Sequence, residues 1–293
     1  MSGILAVFNR DGQPLEPVEV DGLIDACPER AVDGQAVWVD GSIALGHQHF
    51  WVAPEDRAER QPLVDPVSER VISADVRLDN RAELFGSLGL APESTRGLSD
   101  TVLVLRAYRK WGVACVERLL GDFVFAIWDG AAQGLFVARD ALGSRSVCYY
   151  LDARYLVAAS EIAQILAHRA VHVHLNERKV ADHLAFLFDD HEQTFYKNVY
   201  YLPPAHCLWV SAGTSRRWRY WELAPKPLLN YRRDEEYAEH FLALLRAAVR
   251  CRMRSSAPIG LSLSGGLDST LLAALASEGL SRTEAPQRRL KSF

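Results

Sequence analysis

The chain has 293 residues, of which 49% are hydrophobic and 24% are charged, and its formal net charge is −4. The length predicts about two domains, and the composition is typical of a soluble globular protein. The slightly acidic balance gives no basic surface for nucleic acid or for a membrane. No apolar run is long enough to span a bilayer, and no signal peptide opens the chain.

Short strand-like segments dominate the first half of the chain. They are rich in β-branched and aromatic residues, and turn residues such as Asp129-Gly130 bound them. Their hairpin-like spacing predicts antiparallel sheets. The predicted strands are Gly3–Phe8, Ile43–Phe50, Val71–Leu78, Phe123–Asp129, Gly134–Asp140, Val147–Asp152 and Tyr155–Ser160.

Helices interrupt these strands. Ser99 is a suitable N-cap for a helix over Asp100–Trp111, because Ser accepts a hydrogen bond from the first turn. Shorter helices are predicted over Ser160–His168 and Asn176–Phe186. The combination predicts an α+β domain whose sheets are covered by helices.

The character of the sequence changes in residues 213–234, where Pro, Arg and aromatic residues follow no period. An interdomain segment is expected there. An amphipathic helix follows, then a strand over Ile259–Leu263 and an apolar helix over Ser269–Ser277. Residues Glu278–Phe293 are polar and basic, and we expect them not to fold. The apolar face of the amphipathic helix consists of Tyr237, Phe241, Leu244, Leu245 and Ala248.

The glycine turn between that last strand and helix predicts a phosphate-binding loop. Gly265 and Gly266 allow the backbone to approach an anion closely. The helix N-terminus supplies free N–H groups and the positive end of a dipole. Asp268 would repel a phosphate unless it holds Mg²⁺ or orients the turn. The alternative is a purely structural Gly-Gly turn, but the full SGGxDS pattern favours a phosphate.

The cysteines and histidines give weaker signals. No Cys-x-x-Cys spacing exists, so reduced thiols in a cytoplasmic protein are expected rather than a zinc site or disulfides. His47 with His49, and His172 with His174, could begin a metal site, but no third ligand is spaced to complete either one. The five cysteines are Cys27, Cys115, Cys148, Cys207 and Cys251.

An ordered set of motifs resembles the asparagine synthetase B-type family. SGGLDS resembles the pyrophosphate loop (PP-loop) of ATP pyrophosphatases, and the resemblance covers about residues 1–277. The motifs of the first half are MSGILAVF, GHQHF, ADVRLDN, SDTVLVLRAYRKWG, LLGDFVFAIWD, LFVARDALGSRSVCYY, AASEIAQIL and YLPPAHCLWV.

The resemblance implies an N-terminal class II glutaminase domain with the four-layer αββα Ntn-hydrolase fold, and a C-terminal α/β ATP-pyrophosphatase domain. Such proteins adenylate a carboxylate with ATP and Mg²⁺, and an amine then attacks the acyl group. The expected domains are residues 1–212, an interdomain segment 213–234, and an incomplete synthetase domain 235–293. The residues that the resemblance assigns to ATP are Ser262, Ser264, Gly265, Gly266, Leu267, Asp268 and Ser269, with Mg²⁺ on Asp268.

The glutaminase half departs from the family pattern at its site. The family uses an N-terminal Cys, whereas this chain has Ser2, and a hydroxyl is far less acidic than a thiol. His49 replaces an Arg that clamps the glutamine carboxylate. The family's Asn-Gly-Glu, part of which builds the oxyanion hole, is replaced around Asp75. Only Asp100 matches, at the position that holds the glutamine amine, so an inactive scaffold is predicted.

This pattern is similar to β-lactam synthetases and lasso-peptide cyclases, which look like asparagine synthetases without the nucleophilic Cys. They join a carboxylate to an amine of the same substrate and need no ammonia. After Pro258 only one strand and one helix are predicted, whereas an α/β nucleotide domain needs several parallel strands. The expectation is therefore a C-terminally truncated synthetase that does not complete adenylation by itself.

Several alternatives stay open. The chain could be a working glutamine-hydrolysing asparagine synthase that uses Ser2, or a non-catalytic partner or decayed gene product. A homodimer, a peptide or protein partner, and a second chain that completes the ATP site are also open. Asp140 and its neighbours Arg139 and Arg145 are expected to hold a turn rather than to act in catalysis.

Overall fold

A computed structural model describes residues 1–224, 226, 228–281 and 290–293. It divides the chain into two compact units. The first unit comprises residues 1–50 and 58–222, and the second comprises residues 51–57 and 223–293. Short 3₁₀ helices lie at Pro28–Arg30, Pro54–Ala58, Pro92–Thr95 and Gly112–Arg118.

The first unit is built on antiparallel strands with helices between them. Its strands are β1 (Gly3–Asn9), β2 (Gln35–Asp40), β3 (Ile43–Gln48), β4 (Leu63–Val64), β5 (Arg70–Leu78), β6 (Gly121–Asp129), β7 (Gly134–Arg139), β8 (Cys148–Leu151), β9 (Tyr155–Ala159), β10 (Val199–Tyr201), β11 (His206–Ser211) and β12 (Ser215–Arg219). Its helices are α1 (Pro17–Ile24), α2 (Arg81–Leu88), α3 (Asp100–Trp111), α4 (Ile162–Leu166) and α5 (Glu177–Leu184).

The strands form two six-stranded sheets that pack face to face. The first sheet has the order β10-β8-β9-β1-β3-β2, and the second has the order β12-β11-β7-β6-β5-β4. Side chains alternate along β1, so Ile4 and Phe8 point towards the other sheet while Leu5 points away from it. The rings of Phe8 and Trp128 lie 5.2 Å apart within the layer between the sheets.

Helices cover the two outer faces of this sandwich. On the second sheet, Leu84 of α2 and Leu103 of α3 pack with Phe125. On the first sheet, Val20 of α1 and Ile165 of α4 pack with the outward face of β1. Four layers in the order helix, sheet, sheet, helix result, which confirms the predicted αββα architecture.

The second unit is smaller. It contains α6 (Asp234–Arg252), β13 (Ile259–Leu261), α7 (Leu267–Ser281) and β14 (Leu290–Ser292). The strands β13 and β14 pair in parallel, with Ile259 opposite Leu290. An ion pair of 3.2 Å between Arg246 and Glu278 joins the two helices. This is the strand–turn–helix order that the sequence predicts for a phosphate loop.

Two sequence predictions need correction. Glu278–Phe293 was expected not to fold, but residues 278–281 continue α7 and residues 290–292 form β14. Residues 282–289 lie outside the described part of the chain. Within the predicted interdomain segment, Ser215–Arg219 forms β12, an edge strand of the second sheet. Its Trp218 stacks on Phe136 with ring centroids 5.9 Å apart, which explains why this Arg-rich stretch is ordered.

Candidate functional site

Ser2 lies directly before β1. Because Gly3 pairs with Gln48 of β3, Ser2 lies beside the end of β3 and the segment that follows it. Its hydroxyl accepts a hydrogen bond from the Phe50 amide at 3.1 Å and donates to the Phe50 carbonyl at 3.4 Å. Across the described residues these are the hydroxyl's hydrogen bonds, so no ionisable side chain is bonded to it. The Ser2 oxygen is therefore held by the backbone and not by a base.

Two histidines lie in β3 and directly after it, and they differ in how deeply they are buried. His47 is buried, and its Nδ1 lies 3.2 Å from the Ser73 hydroxyl, which donates to the Gly46 carbonyl. The hydroxyl hydrogen is thereby used, so the Nδ1–H of His47 is the donor. Burial lowers the pKa of His47 well below 6.5, and the neighbouring His49 adds to this shift.

His49, the residue at the predicted carboxylate-binding position, is half-buried. Burial and the Arg60 guanidinium lower the pKa of His49 below 6.5, although Asp33 opposes the shift. The side chain is therefore neutral at pH 7. A neutral imidazole cannot provide the charged, two-pronged clamp of an arginine.

Asp75 lies on β5 and is almost fully buried. Its carboxylate forms an ion pair with the Nε of Arg145 at 3.5 Å. The Met1 amino group is also nearby: burial lowers the pKa of this amine, and the Asp75 carboxylate opposes the shift. The structure thus brings Asp75 to the start of β1, but with a guanidinium on it.

Asp140 fixes the loop that presents Arg145. Its carboxylate accepts hydrogen bonds from the backbone amides of Leu142 at 3.1 Å, Ser144 at 2.9 Å and Arg145 at 3.0 Å. Arg139 donates to the carbonyls of Arg145, Leu202 and Gly143. The prediction that these residues hold a turn is confirmed. Arg145 does more than that, because it also reaches Asp75.

Asp100 is the first residue of α3, and Ser99 caps this helix by accepting from the Val102 amide at 3.2 Å. One Asp100 oxygen accepts from the Leu78 amide of β5 at 2.9 Å. The other is hydrogen-bonded to Arg81. Asp100 is thus connected to the strand that carries Asp75, and it too holds a guanidinium.

Gln61 fixes α3 against β5. Its amide exchanges two hydrogen bonds with the backbone of Ala74, of 2.7 and 3.1 Å, and also donates to the Thr101 hydroxyl at 3.1 Å. Because Ala74 precedes Asp75 and Thr101 follows Asp100, this side chain sets the spacing of the two acids. Sequence reasoning missed Gln61, Arg81 and the pairing of Arg145, since each depends on contacts between distant segments.

The predicted phosphate loop lies in the second unit, between β13 and α7. Gly265 has φ of +80°, which an L side chain rarely adopts. The hydroxyls of Ser264 and Ser269 lie 3.1 Å apart across the turn. The residues from Ser262 to Asp268 are exposed, so the turn and the start of α7 are open to solvent. Leu267 and Asp268 belong to α7, which begins two residues earlier than the sequence predicted.

The described residues place no group of three His, Cys, Asp or Glu side chains where a metal ion could be held. The two predicted histidine pairs have ring separations of 4.7 Å for His47 with His49 and 6.4 Å for His172 with His174. None of the helices in the described part combines the length and apolarity that a membrane span requires.

Comparison with known proteins identifies both parts of the sequence. Residues 1–221 match the glutamine amidotransferase domain family, and residues 240–293 match the asparagine synthase family. Among solved structures, glutamine phosphoribosylpyrophosphate amidotransferase from Bacillus subtilis superposes with a TM-score of 0.54 at 13% identity, over 94% of this chain and 64% of that one. At this identity the match concerns the fold alone.

Curated relatives include asparagine synthetases and an amidase. A putative glutamine-hydrolysing asparagine synthetase 2 of Methanocaldococcus jannaschii is 30% identical over 290 residues, which is 92% of this chain and 56% of the relative. Asparagine synthetase 3 of Bacillus subtilis is 28% identical over 89% of this chain and 42% of the relative. The amidase chry2 of Gibberella zeae is 27% identical over 94% of this chain and 43% of the relative.

The chain spans about half the length of the curated relatives it matches. Its first unit has the fold of class II amidotransferase domains, and residues 240–293 match the asparagine synthase family. The chain belongs to the glutamine amidotransferase domain family, in the form that is joined to an asparagine synthase domain.

Proposed function

We propose that this chain is part of an ATP-dependent amide-bond-forming ligase whose amidotransferase unit does not hydrolyse glutamine. The observation that carries the proposal is the state of the two acids in the candidate pocket. Asp100 is hydrogen-bonded to Arg81, and Asp75 forms an ion pair with Arg145. Both acids are therefore already paired with a cation from the same chain.

The nucleophile position supports the same conclusion. A serine hydroxyl attacks an amide only when a nearby base accepts its proton. In an N-terminal nucleophile that base is the residue's own α-amine, but Met1 makes the Ser2 nitrogen a peptide amide, and the Ser2 hydroxyl is bonded to the Phe50 backbone. The neutral His49 also lacks the charge that would hold a substrate carboxylate. Nucleophile activation and substrate binding are thus weakened together.

The second unit fits a phosphate. Gly265 has open space where a Cβ would stand, and the exposed start of α7 offers backbone N–H donors beside the Ser264 and Ser269 hydroxyls. We propose that Ser262, Ser264, Gly265, Gly266, Leu267 and Ser269 line the phosphate site of ATP. ATP would supply the leaving pyrophosphate when the carboxylate is activated.

Mg²⁺ fits less completely. Asp268 is exposed in the first turn of α7 and could contribute one carboxylate oxygen. Mg²⁺ prefers six oxygen ligands. Among the described residues, Asp268 does not belong to any group of three His, Cys, Asp or Glu side chains that could hold a metal ion. Asp268 is therefore proposed to supply one ligand to Mg²⁺, and waters and phosphate oxygens would supply the others.

The amine is proposed to come from the substrate itself, as in the β-lactam synthetases and lasso-peptide cyclases that the sequence resembles. A ligase of this kind needs a carboxylate and an amine but no ammonia. The paired acids at Asp75 and Asp100 support this reaction over glutamine-dependent asparagine synthesis. The substrate of such a reaction carries both a carboxylate and an amine. A peptide or protein partner would have to offer the same two groups.

Glutamate release from excess glutamine tests the proposal. Wild type and Ser2→Ala are expected to release glutamate at the same background rate. Ser2→Cys is also expected to stay at background, because a thiol does not free Asp100 or restore the clamp at His49. Release by the wild type that Ser2→Ala abolishes would contradict the proposal and favour a working glutaminase.

A further inference from the structure

Arg81 occupies a position where a cation is unfavourable. It is the first residue of α2, and the N-terminal end of a helix carries partial positive charge. The preceding residue, Asn80, does not cap the helix with its side chain; instead it donates to the Arg118 carbonyl at 2.9 Å and accepts from the Leu120 amide at 3.1 Å. An arginine at this point is stabilised only if an anion faces it, and Asp100 is that anion.

The Arg81 guanidinium is fixed on several sides. Besides Asp100, it donates to the Leu98 carbonyl at 2.8 Å and lies 5.3 Å from the centre of the Phe85 ring. The pair is shielded, since the Arg81 side chain is 16% exposed and that of Asp100 is 5% exposed. With the Leu78 amide on the second oxygen, each oxygen of the Asp100 carboxylate has a donor from this chain.

We propose that Arg81 is a resident cation that excludes an α-ammonium group from Asp100. This inference rests on the proposed function, because Asp100 is taken there as the amine-binding residue of the pocket. An amino acid could reach the carboxylate only by displacing a charge-assisted hydrogen bond that is already formed and partly desolvated. Arg81 is thus a specificity-determining residue: it closes the pocket to amino acids independently of the missing Cys.

The proposal predicts that removing Arg81 creates a site for a small cation. Arg81→Ala leaves the buried Asp100 carboxylate without its guanidinium, and we expect the thermal midpoint to fall by about 5 °C or more. Ethylguanidinium at millimolar concentration should recover much of that loss by occupying the space. N-Ethylurea has the same shape without the charge and should recover none of it.

Arg154 provides a matched control in the same unit. It contacts Asp11 through two nitrogens at 2.9 and 2.8 Å and lies 5.2 Å from the centre of the Tyr155 ring. Its side chain is 62% exposed, so its removal leaves no enclosed space. Arg154→Ala and the wild type should both be insensitive to ethylguanidinium at concentrations that stabilise Arg81→Ala.

Ethylammonium distinguishes exclusion from a purely structural ion pair, because it carries the ammonium group and needs no clamp for a carboxylate. Ethylammonium should raise the midpoint of Arg81→Ala and leave that of the wild type unchanged, while ethanol, which has a similar size and no charge, should affect neither. Equal effects of ethylguanidinium and N-ethylurea on Arg81→Ala, or no response to either, would overturn the resident-cation proposal. Failure of ethylammonium to stabilise Arg81→Ala where ethylguanidinium succeeds would overturn the exclusion.

Two further measurements cover the cases in which Arg81→Ala does not fold or the proposed function is wrong. If Arg81→Ala cannot be purified folded, refolding it with and without ethylguanidinium gives the same test, with recovered folded protein as the readout; equal recovery would count against the proposal. Glutamate release by the wild type would contradict the proposed function. Cation rescue of Arg81→Ala is measured without turnover, so it succeeds or fails separately.

Discussion

The helices α3 and α6 begin from the same kind of sequence pattern and have different surroundings. In α3, Leu103, Val104, Ala107 and Tyr108 are buried against the second sheet. In α6 no residue is buried, and Tyr237, Phe241 and Leu244 are 40%, 58% and 60% exposed. The periodic pattern predicts a helix in both cases, whereas burial depends on an opposing layer. The first unit has that layer as a six-stranded sheet, and the second has a two-stranded one.

The largest expected effect comes from removing an aromatic ring in each unit. Phe125 is fully buried between its sheet and the covering helices. Phe125→Ala should lower the free energy of unfolding by about 3–5 kcal/mol. Phe241→Ala should change it by less than about 0.5 kcal/mol, since that ring is 58% exposed. Urea unfolding of both variants measures the difference; a loss of similar size in each would show that the face of α6 is packed in solution.

Two glycines give the next comparison. Gly121 has φ of +149°, and a Cβ there would stand 2.0 Å from the Arg77 carbonyl oxygen, which is backbone and cannot move aside. Gly121→Ala should cost about 3 kcal/mol. Gly265 has φ of +80° with open space around it, so Gly265→Ala should cost only about 1 kcal/mol of backbone strain. Thermal unfolding ranks the two, and the opposite order would contradict the structure of the phosphate loop.

Two aspartates sharpen the comparison. Asp140→Asn replaces a carboxylate that accepts three loop amides, and it should destabilise the first unit by about 2 kcal/mol. Asp268→Asn alters an exposed side chain and should change stability by less than about 0.5 kcal/mol. Unfolding measurements at pH 7 test both; a large effect at Asp268 would mean that its carboxylate organises the loop more strongly than the exposed geometry implies.

The smallest effect is a pH dependence confined to the first unit. The folded-state pKa of His47 is lowered, so its contribution to stability is complete above its unfolded value of 6.5 and is lost as the pH falls below it. The slope from His47 alone should approach about 1.4 kcal/mol per pH unit below that point, and His49, whose pKa is also lowered, adds to it. His47→Asn, which keeps a donor for Ser73, should flatten this part of the stability curve between pH 5 and 6.5. An unchanged slope would mean that groups other than His47 cause the pH dependence of stability.

Local chemistry explains why much of the fold could be predicted. The alternating strands and the Ser99 cap are encoded by neighbouring residues, and α3 begins and ends where the sequence predicts. Strand β12 was not predicted because an edge strand tolerates charged residues, and of its five residues Trp218 is the one that packs against the core. Strand β14 (Leu290–Ser292) was not predicted because its pairing with β13 depends on a contact between residues that are distant in sequence.

The sequence predicted residues of the site but not their partners. Asp75 and Asp100 were identified by resemblance, but their partners Arg145 and Arg81 come from other loops and helices. The position of Arg81 at the start of a helix indicates a nearby acid, because a cation there requires an anion beside it. The sequence does not say which of the many acids provides it, because ion pairing is decided by tertiary placement.

Hydrogen exchange of the full chain, with ATP and separately with glutamine, tests the central claim most directly. The claim is that the phosphate loop binds a ligand and the amidotransferase pocket does not bind glutamine. ATP is expected to protect amides in Ser264–Ser269, and glutamine is expected to leave peptides containing Asp75 and Asp100 unchanged. Protection of those peptides by glutamine, with none in the loop by ATP, would contradict the account.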